Sequence, residues 1–270
     1  MKMVPRVKDF LDLFEEIAPS ALAESWDNPG LQAGSISANV SKAFVALDPT
    51  VDAADSAIEA GAQLLITHHP LLFRPLSRID SDSYPGNVIR KALNEGLSII
   101  SAHTNLDSAK GGINDILASI LDLTSVVALE QKGDDAGTGM GRVGDLAGPV
   151  PLEEFAATVK KLLGLEIIRI AGHMRVPLVK RVAVVGGSGG SLLNLAAEKG
   201  AQVLITGDIG YHNALDARSA GIILMDAGHF ATEKMAMNVF AGHLKEEARE
   251  RGWDVTFEID MAAETPFFVI

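Results

Sequence analysis

The sequence predicts an α/β protein of two similar lobes that arose by internal duplication. Two observations carry this: a repeated segment, and a strand–helix–strand alternation around each copy. "EAGAQLLITHHP" at Glu59–Pro70 returns as "EKGAQVLITGDI" at Glu198–Ile209, sharing Gly-Ala-Gln-x-Leu-Ile-Thr at an offset of 139 residues, Gly61 to Gly200.

Each element follows in order. "VKDFLDLFEEIA" has the amphipathic spacing of a first helix over about Val7–Ala18. "AFVALDPTVDAADSAIEAG" reads as a strand and an alanine-rich helix, "LLIT" as the next strand, and "GLSIISAH" from Gly96 as a third. Between about Ser125 and Arg175 lie the Gly-rich turn "DDAGTGMGRVGDLAG" and a helix, "LEEFAATVKKLLG". The alternation then recurs: "RVAVVGGSGGSLLNLAAEKG", "VLIT", and "GIILMDAGH" from Gly221. "WDVTFEID" is a final strand and "ETPFFVI" an extended tail. This order is that of parallel sheet with crossover helices. The sequence divides into a first lobe at 1–125 and, at 126–270, a connecting segment with the second lobe, in a single compact unit.

Composition narrows the function. The chain of 270 residues is 47% hydrophobic and 21% charged, and no window is both long and uncharged enough to span a bilayer. The first residues place acidic side chains where a secretion signal would need an unbroken apolar core, so a soluble, cytoplasmic protein without a membrane partner is expected. The absence of cysteine excludes disulfides, thiol nucleophiles and thiolate metal sites. A net charge of −12 disfavours nucleic acid as a partner.

In parallel sheets function gathers after the carboxyl ends of strands, and the polar residues of this chain fall there. His68 and His69 end one strand, and His103, Asn105 and Asp107 follow the next. In the second lobe Asp208 and His212 follow "VLIT", while Asp226, His229 and Glu233 follow "IILM". Six of the seven histidines are strand-end residues, counting His173 after "IIRIAG"; His243 is the exception. In an extended chain successive side chains point to opposite sides, so His68 and His69 can reach two different ions, and Pro70 keeps the pair extended. His229 and Glu233, four apart in a helix-like segment, share one face, and the carboxylate is able to bridge. Three histidines and two carboxylates without sulfur suit two divalent ions such as zinc, iron, manganese or magnesium. Two such ions about 3.5–4 Å apart lower the pKa of a shared water, so hydrolysis is the default chemistry.

"SWDNPGLQAG", "ITHHPLLF", "SAHTNLDSAKGGIND", "GMGRVGDL", "VAVVGGSGG", "LITGDIGYHNALDA" and "DAGHFATE" together resemble the NIF-three-like family. Its members are also called GTP cyclohydrolase 1 type 2 homologues and include YbgI-like proteins. The match runs through nearly the whole chain in the expected order. The resemblance implies a duplicated α/β fold with a dinuclear metal site between the lobes, and a hexameric, ring-like homo-oligomer. It also implies that His69 and Asp107 bind one ion, that His68 and His229 bind the other, and that Glu233 bridges them. The inserted domain of some relatives is expected to be missing here. The cyclohydrolase label implies attack at the purine C8 of a guanine nucleotide.

Other residues have two readings each. Trp26, Asp27 and Asn28 in "WDNPG" read locally as a turn, and by resemblance as lining for the substrate cavity. His103 and His212 are left as residues that hold a metal ligand in place, general acids or plain hydrogen-bonding residues, and Asp48 and Asp208 belong with them as residues near the substrate. "GGSGGS" at Gly186–Ser191 is a tight turn, or a turn whose amides hold a phosphate; it lacks the last glycine of GxGxxG and the P-loop lysine. The leading function is a dinuclear metal-dependent hydrolase acting on a small, nucleotide-like molecule. The alternative is a non-catalytic metal-binding or adaptor protein that recruits partners through an oligomeric ring.

Overall fold

The repeated segment folds in each half as a strand with a parallel neighbour on either side. The structure is a computed structural model and describes residues 3–172 and 178–267. From the amino terminus it runs through α1 (Val7–Ile17), β1 (Gly30–Ala33), β2 (Lys42–Ala46), α2 (Val51–Glu59), β3 (Leu64–Thr67), α3 (Gly86–Asn94), β4 (Ser98–Ser101) and α4 (Thr104–Ser108). There follow α5 (Ile113–Ile120), β5 (Thr124–Gln131), β6 (Gly139–Pro151), α6 (Leu152–Leu162), β7 (Arg169–Ala171), β8 (Leu178–Ser188), α7 (Leu193–Glu198), β9 (Val203–Gly207), α8 (Tyr211–Ala220) and β10 (Ile223–Asp226). The long α9 (His229–Glu250) and β11 (Thr256–Ile259) close the chain. Among the described residues this is a mixed α/β protein with two sheets and no inserted domain. The strand that "IIRIAGH" predicts is β7, and His173 lies outside the described residues.

The first unit comprises Met1–Leu106 with Met237–Ile270, and the second Asp107–Ala236. The sequence division at 125 and 126 therefore differs from the grouping in the structure. The reason is β11, which pairs in parallel with β2, Thr256 opposite Lys42 through Ile259 opposite Val45, and so returns the carboxyl-terminal residues to the first sheet.

The first sheet has the order β1-β4-β3-β2-β11, the second β5-β6-β8-β9-β10-β7. In the first, β2, β3 and β4 are parallel and β1 pairs antiparallel with β4. In the second, β8, β9 and β10 are parallel and β7 pairs antiparallel with β10. The shared glutamine plays one part in both copies. Gln63 Oε1 accepts from the amides of Ser41 (2.9 Å) and Lys42 (3.1 Å). Gln202 Oε1 accepts from Lys180 (2.7 Å) and Arg181 (2.9 Å), the same two positions shifted by the repeat offset. Each side chain thus satisfies two donors at the start of the neighbouring strand, which fixes the register of the pair. The preceding glycines, Gly61 and Gly200, share a left-handed φ of 74° and 77° that a β-carbon would disfavour.

Each unit has its own core. In the first, Phe44, Leu65 and Ile99 from the sheet pack with Ala54 and Ala57 of α2 and Val88 of α3. The helix α1 buries Val7, Phe10, Leu13 and Phe14, the stripe that its 3.6-residue spacing predicts, and Phe10 stacks 4.9 Å from Trp253. In the second unit Leu129, Val143, Ala183, Leu204 and Leu224 meet Leu193 and Ala196 of α7. There Arg142, from the "GMGRVGDL" stretch, is fully buried. Its guanidinium pairs with Asp115 and donates to the carbonyls of Ala109, Gly137, Gly139 and Gly141 at 2.7–3.0 Å, so the buried charge is matched on every side.

Candidate metal centre

The strand β3 stops at Thr67, and the two histidines that follow stand in a bend. The His69 amide donates to the Leu47 carbonyl (3.1 Å), and Thr67 Oγ1 donates to the His69 carbonyl (2.8 Å). The two rings lie 5.1 Å apart at 52°. His103, just beyond β4, closes the group at 5.2 Å from His68 and 5.4 Å from His69. One ligand nitrogen from each of the three lies within 4.8 Å of the others, an arrangement that could hold a metal ion. His68 is fully buried and the other two are partly so.

Every one of these rings is held at Nδ1. His68 Nδ1 lies 2.9 Å from the Ala102 carbonyl, His69 Nδ1 2.7 Å from Asp48 Oδ1, and His103 Nδ1 2.7 Å from Asp27 Oδ1. A carbonyl or carboxylate oxygen accepts, so each Nδ1 carries a proton and Nε2 is the ring nitrogen left for a metal ion. Asp27 also receives the Thr104 amide (3.0 Å), the Thr104 hydroxyl and the Asn28 amide (2.8 Å). Burial pushes its carboxyl up, but the bonds from His103 and Thr104 and the His103 charge outweigh this and bring it down to about 2. Asp27 is therefore an anion at neutral pH.

The second unit repeats the device. His229, the first residue of α9, has Nδ1 2.7 Å from Asp208 Oδ2 and Nε2 2.9 Å from Oε2 of Glu233, one helical turn on. Asp208 has φ 56°, a left-handed conformation that aspartate tolerates better than most residues. Glu233 is 3% exposed and Asp107, on α4, is 5% exposed. The Asp107 carbonyl accepts from Asn114 Nδ2 (3.0 Å), while Asn114 Oδ1 accepts from the Gly186 amide (2.9 Å).

The glycine turn after β8 is explained by this pair. A β-carbon on Gly187, at φ 62°, would fall 2.2 Å from Glu233 Oε1 and 3.2 Å from His229 Nε2. Glycine lets the backbone press against the donors. The Gly187 amide donates to Thr232 Oγ1 (3.1 Å) and the Gly189 amide to Thr206 Oγ1 (2.7 Å), so with the Gly186 bond three of the turn's amides are engaged within the protein. The tight-turn reading of "GGSGGS" accounts for it, and phosphate binding by these amides does not. At the positions of His68 and His69 the second copy has Gly207 and Asp208. A β-carbon on Gly207 would meet the His229 backbone at 2.3 Å.

The remaining sequence-predicted residues divide. Asp27, Asp48 and Asp208 hold imidazoles, a more specific part than contact with substrate. His212 stands exposed on the first turn of α8 with its ring 5.6 Å from Tyr211, outside the donor groups of the described residues. Trp26, Asp27 and Asn28 line a cleft of about 780 Å³ in the first unit. Its other wall is Leu72–Ile79, with Phe73, Arg74 and Arg78. These three were missed in the sequence, although "LLFRPLSR" follows His69-Pro70 directly and carries two arginines and an aromatic residue in a loop. Asn28 Nδ2 donates to the Leu72 carbonyl (2.8 Å), and Gln32 Oε1 accepts from the Leu72 amide (3.0 Å), tying the two walls together. His103 connects donors and cleft, 5.9 Å from Trp26 and 6.3 Å from Phe73.

Two α/β units that share a parallel three-strand core with an antiparallel edge strand, with imidazole and carboxylate donors held at strand ends and no sulfur, define a duplicated α/β protein whose donors could hold a nitrogen- and oxygen-ligated metal. A family model described as Duf34/NIF3 (NGG1p interacting factor 3) matches residues 5–266. The chain belongs to the Duf34/NIF3 family. A Clostridium perfringens protein named GTP cyclohydrolase 1 type 2 homolog is 36% identical over 262 residues, covering 97% of this chain and 98% of the relative. Among solved structures, a hypothetical protein of Staphylococcus aureus superposes with a TM-score of 0.92 at 28% identity, covering 98% of this chain and 99% of that one. A Bacillus cereus protein related to NIF3 gives 0.90 at 27%, covering 99% and 100%.

Proposed function

We propose that the protein is a metal-dependent hydrolase acting on a small, nucleotide-like molecule, with two divalent ions per chain. His68, His69, Asp107, His229 and Glu233 are the ligands. The observation that carries the reading is the capture of the Nδ1 of His68 and His69 by an oxygen acceptor, which leaves each Nε2 as the ring nitrogen for a metal ion. When bound, the ions supply Lewis acidity and a water of lowered pKa. The chain's own residues do the rest. Asp48 and Asp208 orient two ligands. Asp27 holds His103 with its proton on Nδ1 and its Nε2 available for proton transfer beside the cleft, and Trp26 and Asn28 shape the space for substrate. The name of the Clostridium perfringens relative makes GTP the first compound to test, and purine C8 the first carbon. A cytoplasmic homohexamer is the assembly the family likeness suggests, and sedimentation velocity would measure it.

The test is metal analysis of purified protein together with assays on nucleotides, phosphoesters and amides, with and without chelator. Metal-dependent turnover of a nucleotide is expected. Two ions per chain with no turnover across the panel would instead favour a metal-binding adaptor. His69→Ala and Glu233→Ala should each lower metal occupancy, and full occupancy in both would remove the ligand assignment.

A further inference from the structure

The cleft in the first unit has a chemistry of its own. Trp26 and Phe73 are 54% and 48% exposed, and their rings stand 5.5 Å apart at 46°. Large aromatic faces left open to water on a lining pair cost hydrophobic free energy that a planar ligand would recover. Beyond Phe73 the same lining carries Arg74 and Arg78. Both are exposed, and neither has an ion pair or side-chain hydrogen bond among the described residues. On a chain with 35 acidic side chains and 23 basic ones, two guanidinium groups left without a carboxylate in one cleft are an anion-binding feature. The volume, about 780 Å³, suits a molecule of mononucleotide size. The ties from Asn28 and Gln32 to Leu72 fix the spacing of the walls before any ligand arrives.

We infer that this cleft binds a heteroaromatic phosphate monoester, with its ring against Trp26 and Phe73 and its phosphate on Arg74 and Arg78. The assignment deepens the hydrolase reading and rests on it for the turnover of the bound molecule, not for binding. It also moves the phosphate contact from the glycine turn of the second unit to a loop of the first.

The full-length protein is titrated with GMP, guanosine and ribose 5-phosphate, metal-loaded and after chelation, by calorimetry and by the fluorescence of the exposed Trp26. GMP should bind about tenfold or more tightly than guanosine or the sugar phosphate. The double variant Arg74→Ala, Arg78→Ala should erase the preference for GMP over guanosine, and because both positions are exposed the fold should persist by circular dichroism. Trp26→Ala should weaken GMP about fivefold or more and leave ribose 5-phosphate unchanged. Equal binding of GMP and guanosine, no binding of GMP, or a preference that survives in the double variant would overturn the inference. GMP binding lost in these variants without any metal-dependent turnover would uphold the cleft and remove the hydrolase reading. Turnover indifferent to all three substitutions would do the reverse.

Discussion

Asp208 Oδ2 stands 2.7 Å from His229 Nδ1, and the same distance separates Asp48 Oδ1 from His69 Nδ1. Two lobes that differ in which residue bears the imidazole have arrived at one way of holding it. Asp208→Asn and Asp48→Asn should each lower metal affinity, by about 10–100-fold, measured by competition with a fluorescent chelator. Unchanged affinity in both would show that the rings need no such partner.

Gly187→Ala tests the packing behind Glu233. The substitution places a methyl group 2.2 Å from Oε1 at a φ of 62°, so either the turn or the carboxylate must move. Backbone strain alone costs about 1 kcal/mol, and metal retention should fall as well. Wild-type melting temperature and metal content together would contradict the close approach.

Asp27 sets an acid limit on the metal-free protein. Its folded pKa of about 2 lies below the ordinary value of 3.8. The unfolded chain therefore takes up this proton first, and the stabilisation, complete above about pH 4, is lost as pH falls toward 2. Asp27→Asn should be less stable at neutral pH by about 1–3 kcal/mol and lose less on going from pH 4 to pH 2. Parallel denaturation curves for the two proteins across that interval would rule the assignment out.

Arg142→Met and Asp115→Asn probe the buried guanidinium. Removing one partner of a buried pair costs about 3–5 kcal/mol, and Arg142→Met also strips four carbonyls of their donor. Asp115→Asn should be the milder change, since the carbonyl contacts remain. The reverse order in urea unfolding would mean that the ion pair, not the carbonyl cradle, dominates.

Much of this molecule is legible in its sequence because the repeat is local. Gly-Ala-Gln-x-Leu-Ile-Thr fixes a turn, a register clamp and a buried strand without reference to distant residues, and both copies fold as the pattern predicts. The amphipathic stripe of α1 is equally direct. The destination of β11 was not legible, since a parallel partner can lie anywhere in the chain and Lys42–Ala46 carries no mark of it. The strand-end histidines could be picked out by position, but the turn that brings His68 and His69 together depends on bonds to Leu47 and Thr67. The aspartates at 27, 48 and 208 were visible as polar residues near strand ends. Their individual imidazole partners are 76, 21 and 21 residues away and come from the fold alone. Arg74 and Arg78 look like ordinary surface charge until the opposite wall supplies Trp26.

The motifs that carry the twin clamps of Gln63 and Gln202 end at Thr67 and Thr206, directly before the residues that differ in chemistry. Past the threonine that closes each motif, one half carries His-His and the other Gly-Asp, yet the strands, their register and the flanking edge strand are alike. Scaffold and cargo are thus separable at a single peptide bond. A graft of Gly-Asp after Thr67 would alter what the first half presents, whereas His-His after Thr206 would meet the His229 backbone, so the exchange runs in one direction only.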